Sequence, residues 1–405
     1  MTAPKLTSIQ NPTSLEDAVA SISNLHSALT GAYYERETEV TLLTLALIAE
    51  EHVLLLGPPG TAKTELTRTF FDMLGTPKSD VFGYLMGKFT VPDEIVGPLD
   101  LPSMKAGVFK RNVAHMLPAA KMAYLDEIFK ANSSILNSLL TITNEREFDN
   151  AGRMPVPLQM LVGMSNELPE DGPQGPLAPL YDRFLFRRWT KYIQNTDSFV
   201  DLIVGDSPSI PSTPMISEHE IDVLRVARKL VSKKGPTGIK GKNGMLLNLG
   251  QVIGFILKAN LENDHGITIS DRRWKSAMKA VQAHAVLNGR AVATVADLAP
   301  LAHCLWDDPE DAEIIQLEIG KLANPDESKA RALHAAAVSA MGAIPENEDN
   351  NGRWSEIAII ARKKIAALIV EMKGLSQSAV VAELIAKTDG YDKALIEENI
   401  RRFTL

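Results

Sequence analysis

The sequence predicts an α/β protein in which a parallel sheet covered by helices is followed by a helical second half. A loop rich in glycine and proline joins an apolar strand to a helix near residue 60. Short β-rich runs then alternate with helical stretches as far as Phe186, which is typical of a parallel sheet. Beyond a segment rich in Pro and Ser, the apolar residues recur at helical spacing.

The expected core begins with two helices and continues with strands. Leu15–Leu29 and Glu35–Glu50 carry apolar residues at helical spacing. Four short apolar runs predict strands: Val53–Leu56, Met122–Leu125, Met160–Gly163 and Phe184–Phe186. Two further segments, Phe89–Phe109 and Glu147–Leu158, place turn residues between β-prone runs and predict hairpins.

The second half is expected to be helical. Its predicted helices are Glu218–Ser232, Met245–Leu261, Ser270–Asn288, Val295–Leu305, Glu310–Asn324, Asp326–Met341, Arg353–Lys373 and Ser376–Phe403. We therefore expect a core over residues 1–204, a linker over 205–217, a helical domain over 218–305 and a C-terminal helical domain over 306–405. Lys233–Lys242 is a glycine-containing basic stretch, interpreted as a solvated loop rather than a contact for phosphate backbones.

Composition narrows the function classes. The 405 residues suffice for two or three domains, and the formal net charge of -8 argues against a dedicated nucleic-acid scaffold. Cys304 is the only cysteine, which excludes an internal disulfide and a zinc framework. The apolar run Val40–Ala49 is too short to span a bilayer, and Met1–Ser14 lacks the pattern of a secretion signal. A cytoplasmic location is expected.

The loop between the first strand and the next helix reads Gly-Pro-Pro-Gly-Thr-Ala-Lys-Thr. Backbone N–H groups at a helix N-terminus and a lysine cation are what nucleotide phosphates need. Lys63 is expected to reach the β and γ phosphates, and Thr64 to bind Mg²⁺. Ala62 stands where glycine is usual, and its methyl group predicts a negative φ. The predicted ATP-binding residues of the loop are Gly57, Pro58, Pro59, Gly60, Thr61, Ala62, Lys63, Thr64 and Glu65. A chance turn is the alternative.

An apolar strand ending in two carboxylates is the second chemical signal. Asp126 is placed at the strand end, where Mg²⁺ between two phosphates needs a carboxylate. Glu127 is the candidate general base for the attacking water. The plainer interpretation is an ordinary strand end with a solvated acid pair.

Asn166 follows the next predicted strand and is the third signal. Its amide can both donate and accept, so it could hold the attacking water and sense the γ phosphate. An asparagine that merely caps the strand is the alternative.

These elements, in this order, resemble the AAA+ ATPases and within them the MoxR family, with the RavA subgroup (regulatory ATPase variant A) most similar. The motifs that carry the resemblance are Tyr84–Met86, Pro92–Leu99, Leu136–Arg146 with Phe148, Ser165–Glu170, Leu180–Phe184, Ser270–Lys275 and Cys304–Trp306. The resemblance implies a P-loop NTPase sheet core with a helix-2 insert and a pre-sensor-1 hairpin. An all-α lid and a C-terminal helical domain would follow.

The resemblance also implies a homo-hexamer in which arginines complete the neighbour's ATP site. Arg183 matches the arginine finger, with Arg187 and Arg188 as alternatives. Arg272 matches the sensor 2 arginine, with Arg273 as the runner-up. For Arg183, Arg187 and Arg188 a surface ion pair is the ordinary explanation.

For function, the resemblance implies a cytoplasmic, Mg²⁺-dependent ATPase that remodels or activates a protein client. A partner with a von Willebrand factor A (VWA) domain, ViaA-like, is expected. RavA-type proteins carry a β-rich insertion where this chain has only the acidic, Asn-rich loop 343–352, which puts partners of that insertion in doubt. A nucleic-acid-stimulated helicase-like motor and a chelatase-type motor subunit remain alternatives.

Overall fold

The computed structural model describes residues 14–131, 133–169, 175, 177–205, 213–241, 244–344, 353–376 and 378–403. Most of the predicted linker 205–217 and of the loop 343–352 lies outside these residues, as do residues 1–13, Glu170 and Lys242. The chain forms two compact units, Met1–Ile315 and Gln316–Leu405.

The described strands are β1 (His52–Leu56), β2 (Val81–Leu85), β3 (Met122–Asp126), β4 (Glu147–Asp149), β5 (Arg153–Pro155), β6 (Met160–Ser165), β7 (Phe184–Trp189), β8 (Pro236–Lys240) and β9 (Leu246–Asn248). The described α-helices are α1 (Leu15–Ala32), α2 (Glu37–Ala49), α3 (Lys63–Met73), α4 (Pro92–Val96), α5 (Leu101–Lys105), α6 (Ser133–Glu145), α7 (Ala178–Tyr181), α8 (Thr196–Val204), α9 (Glu218–Leu230), α10 (Leu249–Val252), α11 (Lys258–His265), α12 (Asp271–Leu287), α13 (Asp311–Ala323), α14 (Pro325–Gly342), α15 (Arg353–Lys373) and α16 (Ala379–Phe403).

Five parallel strands form the central sheet, in the order β2-β3-β6-β1-β7. This confirms the predicted parallel sheet, and each of the four predicted strands is present. β1 and β6 are buried along their whole length, which is why both read as continuous apolar runs. The order places the carboxyl ends of β3, β6 and β1 side by side. Residues that follow these three strands therefore meet at one edge.

The strand β2 was not predicted, because Gly83 interrupts its short apolar run. A Cβ atom at this position would lie 2.0 Å from the Tyr124 ring on the neighbouring strand β3. The glycine is therefore required by the approach of the aromatic ring, although it weakens the sequence signal of a strand.

The two predicted hairpins have different outcomes. β4 and β5 pair antiparallel, so the hairpin over Glu147–Leu158 is confirmed. The prediction of a hairpin over Phe89–Phe109 is wrong, because this segment contains the short helices α4 and α5. Pro92 and Pro102 stand in the first turns of these helices, where a backbone N–H has no partner within the helix and proline therefore costs no hydrogen bond. The Asp100 side chain caps the second helix by accepting a hydrogen bond from the Ser103 N–H.

The helical region after residue 218 is not all-α as expected. β8 and β9 form an antiparallel ribbon within residues 236–248, in which the Thr237 hydroxyl donates to the Leu247 carbonyl at 2.7 Å. The ribbon occupies part of the basic stretch that was interpreted as a loop and the start of the predicted helix Met245–Leu261. That helix begins later, where Asn248 and Gln251 cap each other's backbone.

The remaining predicted helices of the second half are present, with Val295–His303 as a 3₁₀ helix. In the second unit, α14, α15 and α16 share an apolar core that includes Ala337, Ile365 and Leu395. None of the described helices combines the length and apolar character that a membrane crossing requires.

The buried His52 and the partly buried His303 predict acid sensitivity. Burial lowers the pKa of His52 to about 3 and that of His303 to about 4. In the unfolded chain the two imidazole rings bind protons below about pH 6.5, whereas in the folded protein both rings stay neutral until a much lower pH. Stability should therefore fall as pH drops from 6.5 towards 4, by up to about 1.4 kcal/mol per pH unit for each histidine.

Urea unfolding midpoints measured between pH 7 and pH 5 check this expectation. A His52→Gln variant removes one of these two histidines, so its stability should depend less steeply on pH than that of the wild type. Equal slopes for the two proteins would contradict the role of His52.

Candidate nucleotide-binding and hydrolytic site

The predicted phosphate loop joins the end of β1 to the first residue of α3. Gly57 has φ 131°, and a Cβ atom there would lie 2.1 Å from the Thr190 carbonyl oxygen. Its N–H donates to the Ser165 carbonyl at 3.2 Å. The loop is thus anchored between the ends of β6 and β7 at a position that only glycine fits.

The expectation of a negative φ at Ala62 is wrong. Ala62 has φ 61° and ψ 19°, a left-handed conformation directly before α3. For a residue with a Cβ atom this costs roughly 1–2 kcal/mol. The requirement that Lys63 be the first helical residue, with its side chain over the loop, outweighs the preference of the methyl group. Local strain of this kind is common at ligand-binding turns.

The Lys63 ammonium lies over the loop. It donates to the carbonyl oxygens of Gly57 at 2.7 Å and Pro58 at 2.9 Å, and to the Thr61 hydroxyl at 3.2 Å. Burial lowers the pKa of Lys63, and the neighbouring Asp126 and Glu127 carboxylates oppose this shift. A buried cation surrounded by backbone dipoles is the arrangement that phosphate oxygens bind.

Thr64 and Asp126 form the predicted metal pair. The Thr64 hydroxyl donates to Asp126 Oδ2 at 2.8 Å, so the start of α3 and the end of β3 meet here. One hydroxyl and one carboxylate suit Mg²⁺, which keeps several waters and takes its other ligands from phosphates. The residues present therefore fit this metal.

Glu127 and Asn166 are in direct contact. Asn166 Nδ2 donates to Glu127 Oε1 at 2.6 Å, and its Oδ1 accepts from Lys63 at 3.4 Å. Glu127 has φ 53°, and its Oε2 lies 3.4 Å from the Lys130 ammonium. Lys130 was not predicted. Its position three residues after Glu127, in the turn Ile128–Lys130, was the available signal.

A cavity of about 560 Å³ adjoins the phosphate loop and was also not predicted. Its walls come from the end of α1, the loop and α8, and they are rich in aromatic and apolar side chains. The lining residues include Tyr33, Tyr34, Thr61, Tyr192, Phe199 and Leu202. Arg36 also lines it and donates to the carbonyl oxygens of Thr61 and Lys191, both at 3.1 Å. An apolar cavity beside a phosphate loop suits a nucleotide base.

The predicted arginines Arg183 and Arg272 lie in a second group of polar residues, around Asn144 and Asp182. Arg183 Nη1 donates to Asn144 Oδ1 at 2.8 Å, and burial lowers the pKa of Arg183. The Asp182 carboxylate forms ion pairs with Arg272 and, at 2.6 Å, with Arg273. In the described part of the chain, neither Arg183 nor Arg272 has a hydrogen bond or ion pair with the phosphate loop.

Arg187, an alternative finger, is buried and forms hydrogen bonds within the protein. It is fully buried, and its guanidinium donates to the carbonyl oxygens of Phe184, Tyr181 and Trp306 and to Asp307 at 2.6 Å. It also lies 3.9 Å from the centre of the Tyr181 ring. Arg188 is half-buried and pairs with Glu39 at 3.3 Å. Arg187 therefore has no accessible donor to offer a neighbouring molecule.

The sheet order, the phosphate loop and the polar residues after β3 and β6 define a P-loop nucleotide-binding protein of the AAA+ class. Residues 20–225 match the family model described as "MoxR domain in the MoxR-vWA-beta-propeller ternary systems", and residues 251–319 match the model of an AAA lid domain. The chain belongs to the MoxR family of AAA+ ATPases. This confirms the family predicted from sequence, while the RavA subgroup stays a prediction.

Individual relatives agree with the family match. The chain is 33% identical to the uncharacterized protein MJ0079 of Methanocaldococcus jannaschii over 397 residues, which cover 95% of this chain and 96% of that protein. It is 29% identical to Chaperone MoxR1 of Mycobacterium tuberculosis over 153 residues, 36% of this chain and 38% of that protein. The crystal structure of "a putative ATPase" from Cytophaga hutchinsonii aligns with a TM-score of 0.57 at 16% identity, covering 76% of this chain and 96% of that one. This last likeness supports the fold.

Proposed function

We propose that this protein hydrolyses ATP with Mg²⁺ and uses the energy to remodel or activate a protein client. The observation that carries the proposal is one continuous set of contacts. Thr64 bonds to Asp126, Asp126 precedes Glu127, Glu127 accepts from Asn166, and Asn166 accepts from Lys63. Groups for phosphate binding, metal binding and water activation thus meet at one edge of the sheet.

The proposed roles follow from these positions. Lys63 and the loop N–H groups bind the β and γ phosphates, while Thr64 and Asp126 would hold Mg²⁺, which neutralises phosphate charge when bound. Glu127 takes a proton from the attacking water, and the Asn166 amide fixes the orientation of the Glu127 carboxylate. The aromatic cavity would receive the base. Loss of ATP hydrolysis in Glu127→Gln and Lys63→Ala variants tests these roles.

We further propose a hexameric ring in which Arg183 and Arg272 act on the neighbouring subunit's ATP. Both lie in the group around Asp182 and Asn144, and both retain exposed surface. The burial of Arg187 and Arg273 favours Arg183 as the finger and Arg272 as sensor 2, since buried, ion-paired guanidinium groups cannot reach a second molecule. Arg188 remains the alternative finger.

Mixed assemblies test the finger. Arg183→Ala subunits should bind ATP normally but lower kcat at least 100-fold, because an arginine finger contributes about 10³–10⁵ to such reactions. When these subunits are mixed with wild-type subunits, the ATPase activity of the mixture should be lower than the proportion of wild-type subunits alone would give. Arg331→Ala, at an exposed arginine of α14, is the matched control. Activity proportional to the wild-type fraction would instead point to Arg188.

A VWA-domain partner is part of the same proposal. The description of the matched family supports it, since that family is named for MoxR-vWA-beta-propeller systems. The end of β2 and the segment that follows it present large exposed apolar side chains, including Leu85, Phe89 and Phe109, which are candidates for contact with a partner or client. A cytoplasmic location and membership of the RavA subgroup are proposed on the resemblance alone. Purification from the native host that recovers no VWA-domain protein, with or without ATP, would count against the partner.

A further inference from the structure

A basic cavity lies outside the nucleotide site, where the end of α9, the loop after it and α12 meet. Its volume is about 490 Å³. The lining residues are Arg228, Lys229, Val231, Ser232, Lys233, Lys234, Lys279 and Gln282. Five of these eight residues are cations, although the chain as a whole has a net charge of -8. We propose that this cavity binds a small, multiply charged, phosphate-bearing anion.

The protein's own carboxylates neutralise only part of this charge. Glu50 pairs with Arg228 at 2.6 Å and with Lys229 at 3.4 Å, and Glu51 pairs with Lys279 at 2.6 Å. In the residues that the structure describes, Lys233 and Lys234 have no ion pair. The five cations therefore face two carboxylates, and the excess positive charge attracts an anion.

Arg228 provides the second observation. It is 5% exposed, and its Nε–H is buried without a hydrogen-bond partner among the described residues. Leaving a charged, buried donor unsatisfied costs about 1–3 kcal/mol or more. A phosphate oxygen in the cavity that Arg228 lines would satisfy this donor, and arginine suits phosphate particularly well.

Lys233 is repelled by neighbouring positive charges. Partial burial lowers the pKa of Lys233, and Arg228, Lys279 and Lys275 lower it further by repulsion. A bound anion would relieve this repulsion. The dipole of α9 explains why Arg228 and Lys229 favour its last turn, but it does not explain the cations on the loop and on α12.

The shape of the site favours a small anion over nucleic acid. The cations surround a cavity from three chain segments instead of forming a stripe along which a phosphate backbone could run. None of the lining residues is aromatic, whereas proteins that bind single strands use aromatic side chains to stack bases. Phosphate groups and guanidinium or ammonium groups match without any stacking.

Binding of an anion would also affect contacts of the central sheet, through Glu50 and Glu51. Glu50 and Glu51 immediately precede β1, which ends at the phosphate loop. An anion would compete with these carboxylates for Arg228 and Lys279, the residues that tie α9 and α12 to the start of β1. The cavity is thus placed to influence the nucleotide site without being part of it.

Isothermal titration of the Lys63→Ala protein with inorganic tripolyphosphate tests the proposal, because this background removes binding by the phosphate loop. We expect saturable binding whose Kd rises at least tenfold in the added double variant Lys233→Glu/Lys234→Glu. Both lysines are exposed, so the fold should be retained. The buried Arg228 is left unchanged.

Lys363→Glu/Lys364→Glu is the matched control, with the same change of charge at two adjacent exposed lysines of α15. It should bind tripolyphosphate like the parent. Absence of saturable binding to the parent, or equal weakening in both double variants, would overturn the proposal. Hexaglutamate that binds as tightly as tripolyphosphate and displaces it would overturn the phosphate assignment in favour of an acidic peptide.

Discussion

Replacing Glu127 by glutamine is expected to lower kcat for ATP hydrolysis at least 100-fold while leaving the Kd for ATP within about threefold of wild type. Glutamine retains an oxygen that can accept from Asn166 Nδ2, the 2.6 Å contact of the wild-type residue. It cannot take a proton from water, and it loses the ion pair with Lys130. The change therefore removes the base while disturbing the geometry little.

Steady-state phosphate release and titration with ATP measure the two quantities separately. Glu16→Gln, at an exposed carboxylate in the first turn of α1, is the control and should leave both unchanged. Hydrolysis by Glu127→Gln at the wild-type rate would mean that another group serves as the base.

The second large effect is expected at Lys63. Lys63→Ala should weaken ATP binding at least 100-fold and abolish turnover, because this ammonium lies over the phosphate loop where the phosphates would bind. The substitution also removes the donor that now satisfies the Gly57 and Pro58 carbonyl oxygens. These oxygens would then repel the approaching phosphates without compensation.

Titration with a fluorescent ATP analogue checks the affinity, and thermal unfolding without nucleotide checks that the fold is intact. Lys363→Ala, at an exposed lysine of α15, should behave as wild type. ATP binding by Lys63→Ala with near-normal affinity would refute the assigned role of the loop.

Much of the sheet was predictable because its strands are buried on both faces. Val53–Leu56 and Met160–Gly163 therefore appear as uninterrupted apolar runs, and the residues with chemical roles follow directly from the strand ends. The edge strand β2 is only partly buried and contains Gly83, so the same signal is absent there. The segment Phe89–Phe109 was a second source of error. Gly97, Pro98 and Gly107 were interpreted as turn residues of a hairpin, although short helices begin at Pro92 and Leu101.

Other features depend on contacts between distant parts of the chain. The aromatic cavity combines Tyr33 with Tyr192 and Phe199, which only the fold brings together. Lys130 and Glu127 are close in sequence, but the left-handed backbone at Glu127, in the turn that carries their ion pair, has no signal in the sequence. Ala62 shows the limit of local rules, since its φ is set by the direction in which α3 must leave the loop.

The carboxylates shared between residues at the start of α12 and residues around β7 bear on how movement passes through the ATPase unit. Asp307 forms ion pairs with Arg187 of β7 and with Arg273 of α12. Asp182, which lies just before β7, forms ion pairs with Arg272 and Arg273 of α12. Each carboxylate thus joins two elements, and neither element can shift without losing a partner for a buried guanidinium. These ion pairs connect the helical lid to the edge of the sheet. A displacement of α12 would consequently be transmitted to β7, and with it to the adjoining Arg183, instead of being absorbed by bending between them.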